Sequence, residues 1–227
     1  ILEGERHAII GPNGAGKTTF FNLITGHLQP SAGEVRYKGE IISGLPPHKI
    51  VKRGLARSFQ RINIYPRMTV FQNVQVALIA QHNQHLNFFT QAHNIHKGDT
   101  EDLLKLVDLS GETRGIAGEL AYGKQKQLEL AIALAANPQM LLLDEPTAGM
   151  SPSETTESIR LINNIAESRS LTLLFTEHDM SVVFSIADRI SVLHHGQILA
   201  SGSPDEVRND SEVKKVYLGE GVDDASA

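Results

Sequence analysis

The 227-residue sequence contains neither cysteine nor tryptophan, and aromatic residues make up only 5% of it. The absence of cysteine excludes a disulfide framework and is typical of proteins in a reducing compartment. No apolar run approaches the roughly 18 residues that a membrane-spanning helix needs, so we expect any membrane role to come through a partner. The net charge of −5 lacks the basic excess of nucleic-acid-binding domains, and nucleic acid is not expected as a partner.

Hydrophobic residues make up 41% of the chain, enough to bury the core of one sizeable domain. Continuous apolar runs at Met140–Leu143 and Leu171–Phe175 are typical of strands buried on both faces of a sheet, and a helical pattern at 152–167 separates them. Alternating strands and helices predict an α/β fold with a mostly parallel sheet. Lys38-Gly39, between two short strand patterns, predicts a β hairpin.

The middle of the chain departs from this alternation. Helical patterns at 70–80, 100–109 and 125–136 follow one another without a strand between them. They predict a helical subdomain at about residues 70–136, inserted into a single domain that covers residues 1–227. At its beginning, the chain passes from Ile1 almost directly into an apolar strand pattern, and we expect N-terminal strands to be missing.

A glycine-rich segment follows the first predicted strand. It fits the pattern G-x-x-x-x-G-K-[ST] and precedes a predicted helix, which is the arrangement of a phosphate-binding loop. Its backbone N–H groups and the positive end of the helix dipole would face a phosphate. Lys17 would reach the β- and γ-phosphates, and the Thr18 hydroxyl would bind Mg²⁺. The loop comprises Gly11, Pro12, Asn13, Gly14, Ala15, Gly16, Lys17 and Thr18, with Thr19 directly after it.

Polar residues follow three of the other predicted strands. Asp144 and Glu145 come at the end of the run that begins at Met140. We expect Asp144 to hold the Mg²⁺ shell and Glu145 to polarise an attacking water. Gln60 would bring an amide to the metal or the water, and His178 would contact the γ-phosphate and hold the water in line. Taken singly, each of these residues has an ordinary structural role as a polar residue at a strand end.

The segment Leu120–Gln125, with sequence LAYGKQ, also resembles a phosphate-binding turn, because a glycine and a basic residue precede a long apolar helix. A single domain has no obvious need for a second phosphate loop. Without further context, the segment is explained equally well as a helix with a glycine before it.

The order of these motifs resembles that of the ATP-binding subunits of ABC transporters. The phosphate loop corresponds to Walker A, Met140–Glu145 to Walker B and LAYGKQ to the signature, with Gln60 and His178 at the remaining motif positions of that family. The segments Ala56–Gln60, Pro66–Val70 and Glu177–Met180 are similar to the branched-chain amino acid importer group, as is Tyr217-Leu218-Gly219. Importers for urea or amides have similar motifs.

The resemblance implies an ATPase of P-loop fold on the cytoplasmic face of the membrane, with ATP and Mg²⁺ as ligands. Its partners would be transmembrane permease subunits and a second ATP-binding subunit. In such a pair, each signature closes on the nucleotide of the other chain, which explains the second glycine-containing turn. Beyond the phosphate loop, the nucleotide contacts implied are Gln60, Leu120, Ala121, Tyr122, Gly123 and Lys124. The catalytic residues implied are Glu145 and His178, and the metal contacts are Thr18, Gln60 and Asp144.

Several positions depart from the family pattern. Ala121 replaces the usual signature serine, Tyr122 replaces a glycine, Lys124 stands where glutamine is common, and Ser151 stands where aspartate is common. Two alternatives therefore stay open. One is an ABC ATPase that does not serve transport, and the other is a subunit that binds nucleotide but hydrolyses it weakly or not at all.

Overall fold

The computed structural model describes residues 1–58, 63–82 and 95–216. Among these residues, strands and helices alternate at both ends of the chain, and three α-helices lie between the fourth strand and the fifth. The strands are β1 (Arg6–Ile10), β2 (Arg36–Tyr37), β3 (Glu40–Ile41), β4 (Leu55–Ser58), β5 (Met140–Asp144), β6 (Thr172–Thr176), β7 (Arg189–His194) and β8 (Gln197–Gly202). The helices are α1 (Lys17–Ile24), α2 (Pro47–Val51), α3 (Val70–Gln81), α4 (Lys97–Leu106), α5 (Tyr122–Leu134), α6 (Pro152–Arg169), α7 (Met180–Ile186) and α8 (Pro204–Asn209).

The central sheet has the order β4-β5-β6-β1-β7-β8 among the described residues. All neighbouring strands in it are parallel except β8, which runs antiparallel to β7. The predicted hairpin forms from β2 and β3, and its two turn residues, Lys38 and Gly39, both have positive φ angles. The α/β fold with a mostly parallel sheet and a hairpin is therefore confirmed.

Alternate residues of the buried strands face two separate cores, as the two-residue period of a strand requires. In β5, Leu141 and Leu143 join the core that contains α3 to α7, whereas Met140 and Leu142 join the core that contains α1. The sheet is thus covered on both faces, and the carboxyl ends of β1, β5 and β6 lie at one edge. No helix of the described residues is long and apolar enough to cross a membrane.

Three helices in the described part of the chain begin with a capping box, in which a serine or threonine and the side chain three residues later satisfy each other's backbone N–H groups. The pairs are Thr69 with Gln72 before α3, Ser151 with Glu154 before α6, and Ser203 with Glu206 before α8. The predicted start of α5 at residue 125 was wrong. The helix begins at Tyr122, with Ala121 as its N-cap, so the signature residues 122–124 form its first turn.

His7 lies inside the sheet, 5% exposed, with Nε2 2.8 Å from the Ser191 hydroxyl and Nδ1 3.2 Å from a Glu5 carboxylate oxygen. Burial lowers the pKa of His7, an effect that outweighs the opposing attraction to Glu5. As the pH is lowered, His7 of the unfolded chain therefore binds a proton at a higher pH than His7 of the folded chain. The stability supplied by neutral His7 is complete above about pH 6.5 and is lost as the pH falls through the lower folded-state pKa.

We expect the free energy of unfolding to decrease as the pH is lowered below about 6.5. His7 should contribute at most about 1.4 kcal/mol to this decrease for each pH unit. Urea denaturation of wild type and His7→Gln between pH 5 and pH 8 measures it. The variant should show a flatter pH dependence, whereas a control at exposed His48, His48→Gln, should follow wild type. Equal slopes for His7→Gln and wild type would contradict this account.

Candidate nucleotide-binding site

A cavity of about 310 Å³ lies at the carboxyl edge of the sheet. The phosphate loop lines this cavity together with Glu145 and His178, two residues that the sequence predicts to act on the phosphate or the attacking water. The lining residues are Asn13, Gly14, Ala15, Gly16, Lys17, Thr18, Thr19, Glu145 and His178. Residues 132 positions apart in the chain, Asn13 and Glu145, thus meet because β1 and β5 end at the same edge.

The path of the phosphate loop depends on its glycines. A Cβ atom at Gly11 would lie 2.1 Å from the carbonyl oxygen of Leu193, a distance that no side chain tolerates. Gly16, the N-cap of α1, has a φ of 105°, a conformation that is strained for other residues. The Gly196 N–H donates to the Ala15 carbonyl over 2.9 Å and ties the loop to the turn between β7 and β8.

Lys17 extends its side chain back across this loop. Its ammonium donates to the carbonyl oxygen of Gly11 over 2.5 Å and to that of Pro12 over 3.0 Å. A positive charge therefore lies inside the turn, next to the backbone of the cavity wall. This is where the sequence places a cation for the terminal phosphates.

The side chains of Glu145 and His178 contact each other in the lining of the cavity. His178 Nε2 lies 2.9 Å from Glu145 Oε1, and the side chains are 51% and 16% exposed respectively. Glu145 has a φ of 51°, in the left-handed region that a residue with a side chain adopts only when its surroundings hold it there. Its N–H donates to the Thr176 carbonyl over 3.1 Å, which supports this conformation from β6.

A buried carboxylate fixes the two loops that carry these residues. Glu177 Oε1 accepts hydrogen bonds from the backbone N–H and the hydroxyl of Thr147, at 2.9 and 2.6 Å, and both residues are buried. Glu177 precedes His178, and Thr147 lies two residues after Glu145. The contact therefore fixes the spacing between the loop after β5 and the loop after β6.

Asp144 lies at the end of β5, buried beside the cavity rather than in its wall. Arg57 Nη2 donates to Asp144 Oδ2 over 2.7 Å, and the Thr176 hydroxyl donates to Oδ1 over 2.8 Å. Sequence reasoning did not find Arg57 or Thr176. The available signal for Arg57 was a charged residue within the strand pattern Leu55–Phe59.

The signature residues line a different cavity, of about 430 Å³. It is formed by Ala121, Gly123 and Lys124 together with Asp108, Gly111, Glu112, Gln127, Met150, Glu154, Glu157 and Ser158. Within the described part of the chain, the two cavities share no lining residue. The structure therefore brings Glu145 and His178 to the phosphate loop, whereas no signature residue of the same chain lines that cavity.

The contacts of the signature residues explain how this turn is held. Lys124 forms an ion pair with Glu112, and the Tyr122 ring, 43% exposed, packs against Gly149 in the loop after β5. A Cβ atom at Gly123 would lie 3.0 Å from Glu154 Oε1. A larger residue at Gly123 would thus affect the capping box of α6 as well as the cavity. Gln60 and the segment Tyr217-Leu218-Gly219 lie outside the described residues.

A family model described as "ABC transporter" matches residues 1–148, well over half of the chain. The chain belongs to the ABC transporter family. A second model, described as "branched-chain amino acid ATP-binding cassette transporter", matches residues 197–223. The first match spans both Walker motifs and the signature, and it confirms the resemblance inferred from their order.

Curated relatives of this ABC transporter chain include two amino acid transport proteins. The high-affinity branched-chain amino acid transport ATP-binding protein BraF of Pseudomonas aeruginosa is 42% identical over 97% of this chain and 89% of the relative. LivG of Salmonella typhimurium, which has the same description, is 38% identical with the same coverage. The lipopolysaccharide export system ATP-binding protein LptB of Haemophilus influenzae is 34% identical over 97% of this chain and 88% of the relative.

Solved structures of the family share the fold. The ADP conformation of MJ1267, an ATP-binding cassette of an ABC transporter, has a TM-score of 0.82 at 31% identity and covers 96% of this chain and 89% of its own. A dimeric, post-hydrolysis state of the cassette MJ0796 bound to ADP and Pi has a TM-score of 0.77 at 26% identity, covering 90% and 87%.

Proposed function

We propose that this ABC transporter chain binds ATP with Mg²⁺ and hydrolyses it to drive an importer of branched-chain amino acids. The observation that carries the proposal is the composition of the 310 Å³ cavity, where the phosphate loop, Lys17 and Thr18 meet Glu145 and His178. These are the groups that phosphoryl transfer to water requires: a cradle for phosphate charge and a base with an orienting partner.

The cavity fits the phosphate end of a nucleotide. The loop N–H groups and the first turn of α1 offer donors, and Lys17 can exchange its carbonyl partners for phosphate oxygens of higher charge. We expect the signature to contact nucleotide from a second chain, because three of its residues line a cavity that shares no residue with the phosphate-loop cavity of their own chain. The signature contacts would be Leu120, Ala121, Tyr122, Gly123 and Lys124.

The oxygen donors near the cavity fit Mg²⁺, which prefers oxygen ligands. Thr18 lines the cavity and Asp144 ends the adjoining strand, and with Gln60 they would hold the ion. When bound, Mg²⁺ would neutralise charge on the phosphates. Glu145 would accept the proton of the attacking water, while His178, 2.9 Å from Glu145 Oε1, would orient that carboxylate and contact the γ-phosphate.

We propose that two copies, or this chain and a paralogue, pair head to tail. The separation of the two cavities in one chain supports this pairing, because each phosphate loop would receive the signature of the other chain. The dimeric relative with ADP and Pi is consistent with it. Closure of the pair would move transmembrane permease subunits, and the chain would act at the cytoplasmic face of the membrane. Residues 1–227 would form one ATPase domain, with 70–136 as its helical subdomain.

The identity of the solute rests on the relatives and on the family model matched at 197–223. Vesicles that contain this chain with its membrane and solute-binding partners test it. We expect ATP-dependent uptake of leucine, isoleucine and valine, and none of urea or short amides. Uptake of urea or amides alone would reject the solute, and absence of any ATPase activity would instead favour the inactive-subunit alternative that Ala121 and Tyr122 leave open.

We propose that the segment Arg61–Gln72, of which the structure describes residues 63–72, faces the permease. Its backbone is held in place, since the N–H groups of Ala117 and Gly118 donate to the carbonyls of Met68 and Pro66 over 2.9 and 3.0 Å. Ile64 packs against the core that contains the helices α3 to α7, so part of the apolar surface of this segment serves the fold. Tyr65, in contrast, is 54% exposed. We infer that Tyr65 contacts the permease.

Tyr65→Asp should lower solute uptake in such vesicles by about tenfold or more, because the interface would have to bury an unpaired carboxylate. ATPase activity of the isolated chain should stay within about twofold of wild type, because Tyr65 lies outside both cavities. Leu28→Asp, at another exposed apolar residue, is the matched control and should leave uptake intact. Full uptake in Tyr65→Asp would reject this surface.

A further inference from the structure

Arg57 is a charged residue of β4, the edge strand of the sheet among the described residues, and its side chain is nevertheless buried. Its side chain is 7% exposed and that of Asp144 is 6% exposed, and their closest atoms lie 2.7 Å apart. The two residues come from adjacent parallel strands, because β4 pairs with β5 along its length. An ion pair this deeply buried has a large desolvation cost, and apolar side chains of similar size often serve stability as well or better. A role in stability alone therefore explains the pair poorly.

The guanidinium of Arg57 also reaches the helix that starts at the phosphate loop. Its Nη1 donates to Asn22 Oδ1 over 2.7 Å, and its central carbon, Cζ, lies 5.4 Å from the centroid of the Phe21 ring. Both partners belong to α1. One rigid, planar group thus connects α1 with the end of β5, which lysine, with its compact and flexible ammonium, would do less well.

Asp144 is consequently held at both of its oxygens. Oδ2 accepts a hydrogen bond from Arg57, and Oδ1 accepts one from the Thr176 hydroxyl. A carboxylate accepts hydrogen bonds or ligands in about four directions, so these contacts leave Asp144 able to accept more. The two hydrogen bonds fix the rotation of the Asp144 carboxylate. They therefore also fix the direction in which its remaining lone pairs can bind a ligand.

We propose that Arg57 is a positioning residue for Asp144, which it orients for a bound Mg²⁺ ion relative to the phosphate loop. The proposal rests on the function proposed above, in which Asp144 takes part in the metal site. Arg57 has two opposing effects on a metal ion there. Its charge repels the ion, whereas its hydrogen bond keeps the carboxylate in place. We expect orientation to dominate, because the removal of Arg57 would leave a buried carboxylate without its counter-ion and free to turn.

The test measures the Mg²⁺ requirement of nucleotide binding, independently of hydrolysis. A fluorescent, non-hydrolysable ATP analogue is titrated against the full chain at fixed free Mg²⁺ concentrations and in EDTA. In Arg57→Met, the Mg²⁺ concentration for half-maximal enhancement should rise about tenfold or more. Binding in EDTA should stay within about twofold of wild type, because the phosphate loop is unchanged. Arg53→Met, which removes an exposed pair with Glu40, is the matched control and should behave as wild type.

A lower or unchanged Mg²⁺ requirement in folded Arg57→Met would overturn the proposal, and a lower one would show that repulsion dominates. If Arg57→Met fails to fold, the same titration of Arg57→Lys and Asn22→Ala tests the proposal. The first keeps the charge without the planar fork, and the second removes the tether to α1. A raised requirement in either supports the proposal, and an unchanged one in both overturns it. If wild-type binding does not depend on Mg²⁺ at all, the proposal for Arg57 fails. Failure of the proposed function would instead appear as no binding of the analogue with or without Mg²⁺.

Discussion

Lys17→Ala should lose nucleotide binding by roughly a hundredfold and show no measurable ATPase activity. Its ammonium is held within the loop by the Gly11 and Pro12 carbonyls and is placed to meet the terminal phosphates. Charge-assisted hydrogen bonds to phosphate contribute about 1.5–3 kcal/mol each, and about 2.7 kcal/mol corresponds to a hundredfold change in affinity. Equilibrium binding of a fluorescent ATP analogue measures the loss.

The control for this variant is Lys105→Ala, at an exposed residue of α4 far along the chain from the phosphate loop. It should bind and hydrolyse as wild type does. Because Lys17 also supports the loop, the unfolding midpoint of Lys17→Ala is measured alongside. Wild-type affinity and turnover in a folded Lys17→Ala chain would reject the phosphate loop as the nucleotide site.

Glu145→Gln should retain ATP binding but lower turnover by about a hundredfold or more, a typical loss for a residue that handles the proton of an attacking water. The amide keeps the size of the side chain but cannot accept the proton. Glutamine and glutamate have side chains of the same shape, so the strain of a φ of 51° should be the same in the variant as in wild type. The free energy of unfolding should therefore change little. We also expect the variant to accumulate as a closed dimer in ATP, which size-exclusion chromatography detects.

The matched control is Glu167→Gln, whose carboxylate is 73% exposed and lies outside the cavity. It should hydrolyse ATP at the wild-type rate. Turnover that survives in Glu145→Gln would show that another group accepts the proton, and His178 would then be the next residue to test.

The sequence predicted the parts of the fold that depend on local pattern. Strand β1 at Arg6–Ile10 and the start of β5 at Met140 occur where the apolar runs placed them, because a short continuous apolar run between turn residues favours a strand buried on both faces. Helix α7, Met180–Ile186, was not predicted. It has seven residues and begins at Met180, directly after Asp179, whose side chain caps it. From the sequence, this segment supported a prediction only for the neighbouring His178.

The contacts across the sheet were beyond sequence reasoning. The pairing of Arg57 with Asp144 depends on β4 and β5 being neighbours in the strand order, which local spacing does not specify. The positive φ of Glu145 depends on support from Thr176 of another strand. The signature was interpreted as a turn because of Gly123, but this glycine lies in the first turn of α5.

The central claim is that each phosphate loop is completed by the signature of a second chain, and a mixture of two inactive variants tests it most directly. Lys17→Ala has a damaged loop and an intact signature. Gly123→Asp has an intact loop and a carboxylate in the signature, where phosphate should bind. Since this aspartate would also face Glu154 of its own chain, the control is Gly98→Asp. Gly98 is likewise the second residue of its helix, has open space around it and should tolerate the change.

Each variant alone should be inactive, because neither can build a complete site. In an equal mixture, half of the dimers are mixed and each has one intact site, so ATPase activity should recover to about a quarter of wild type if the sites act independently. Gly98→Asp should be active without mixing. Absence of recovery at every ratio, with mixed dimers demonstrated by differently tagged chains, would contradict the claim and place the signature at the nucleotide of its own chain.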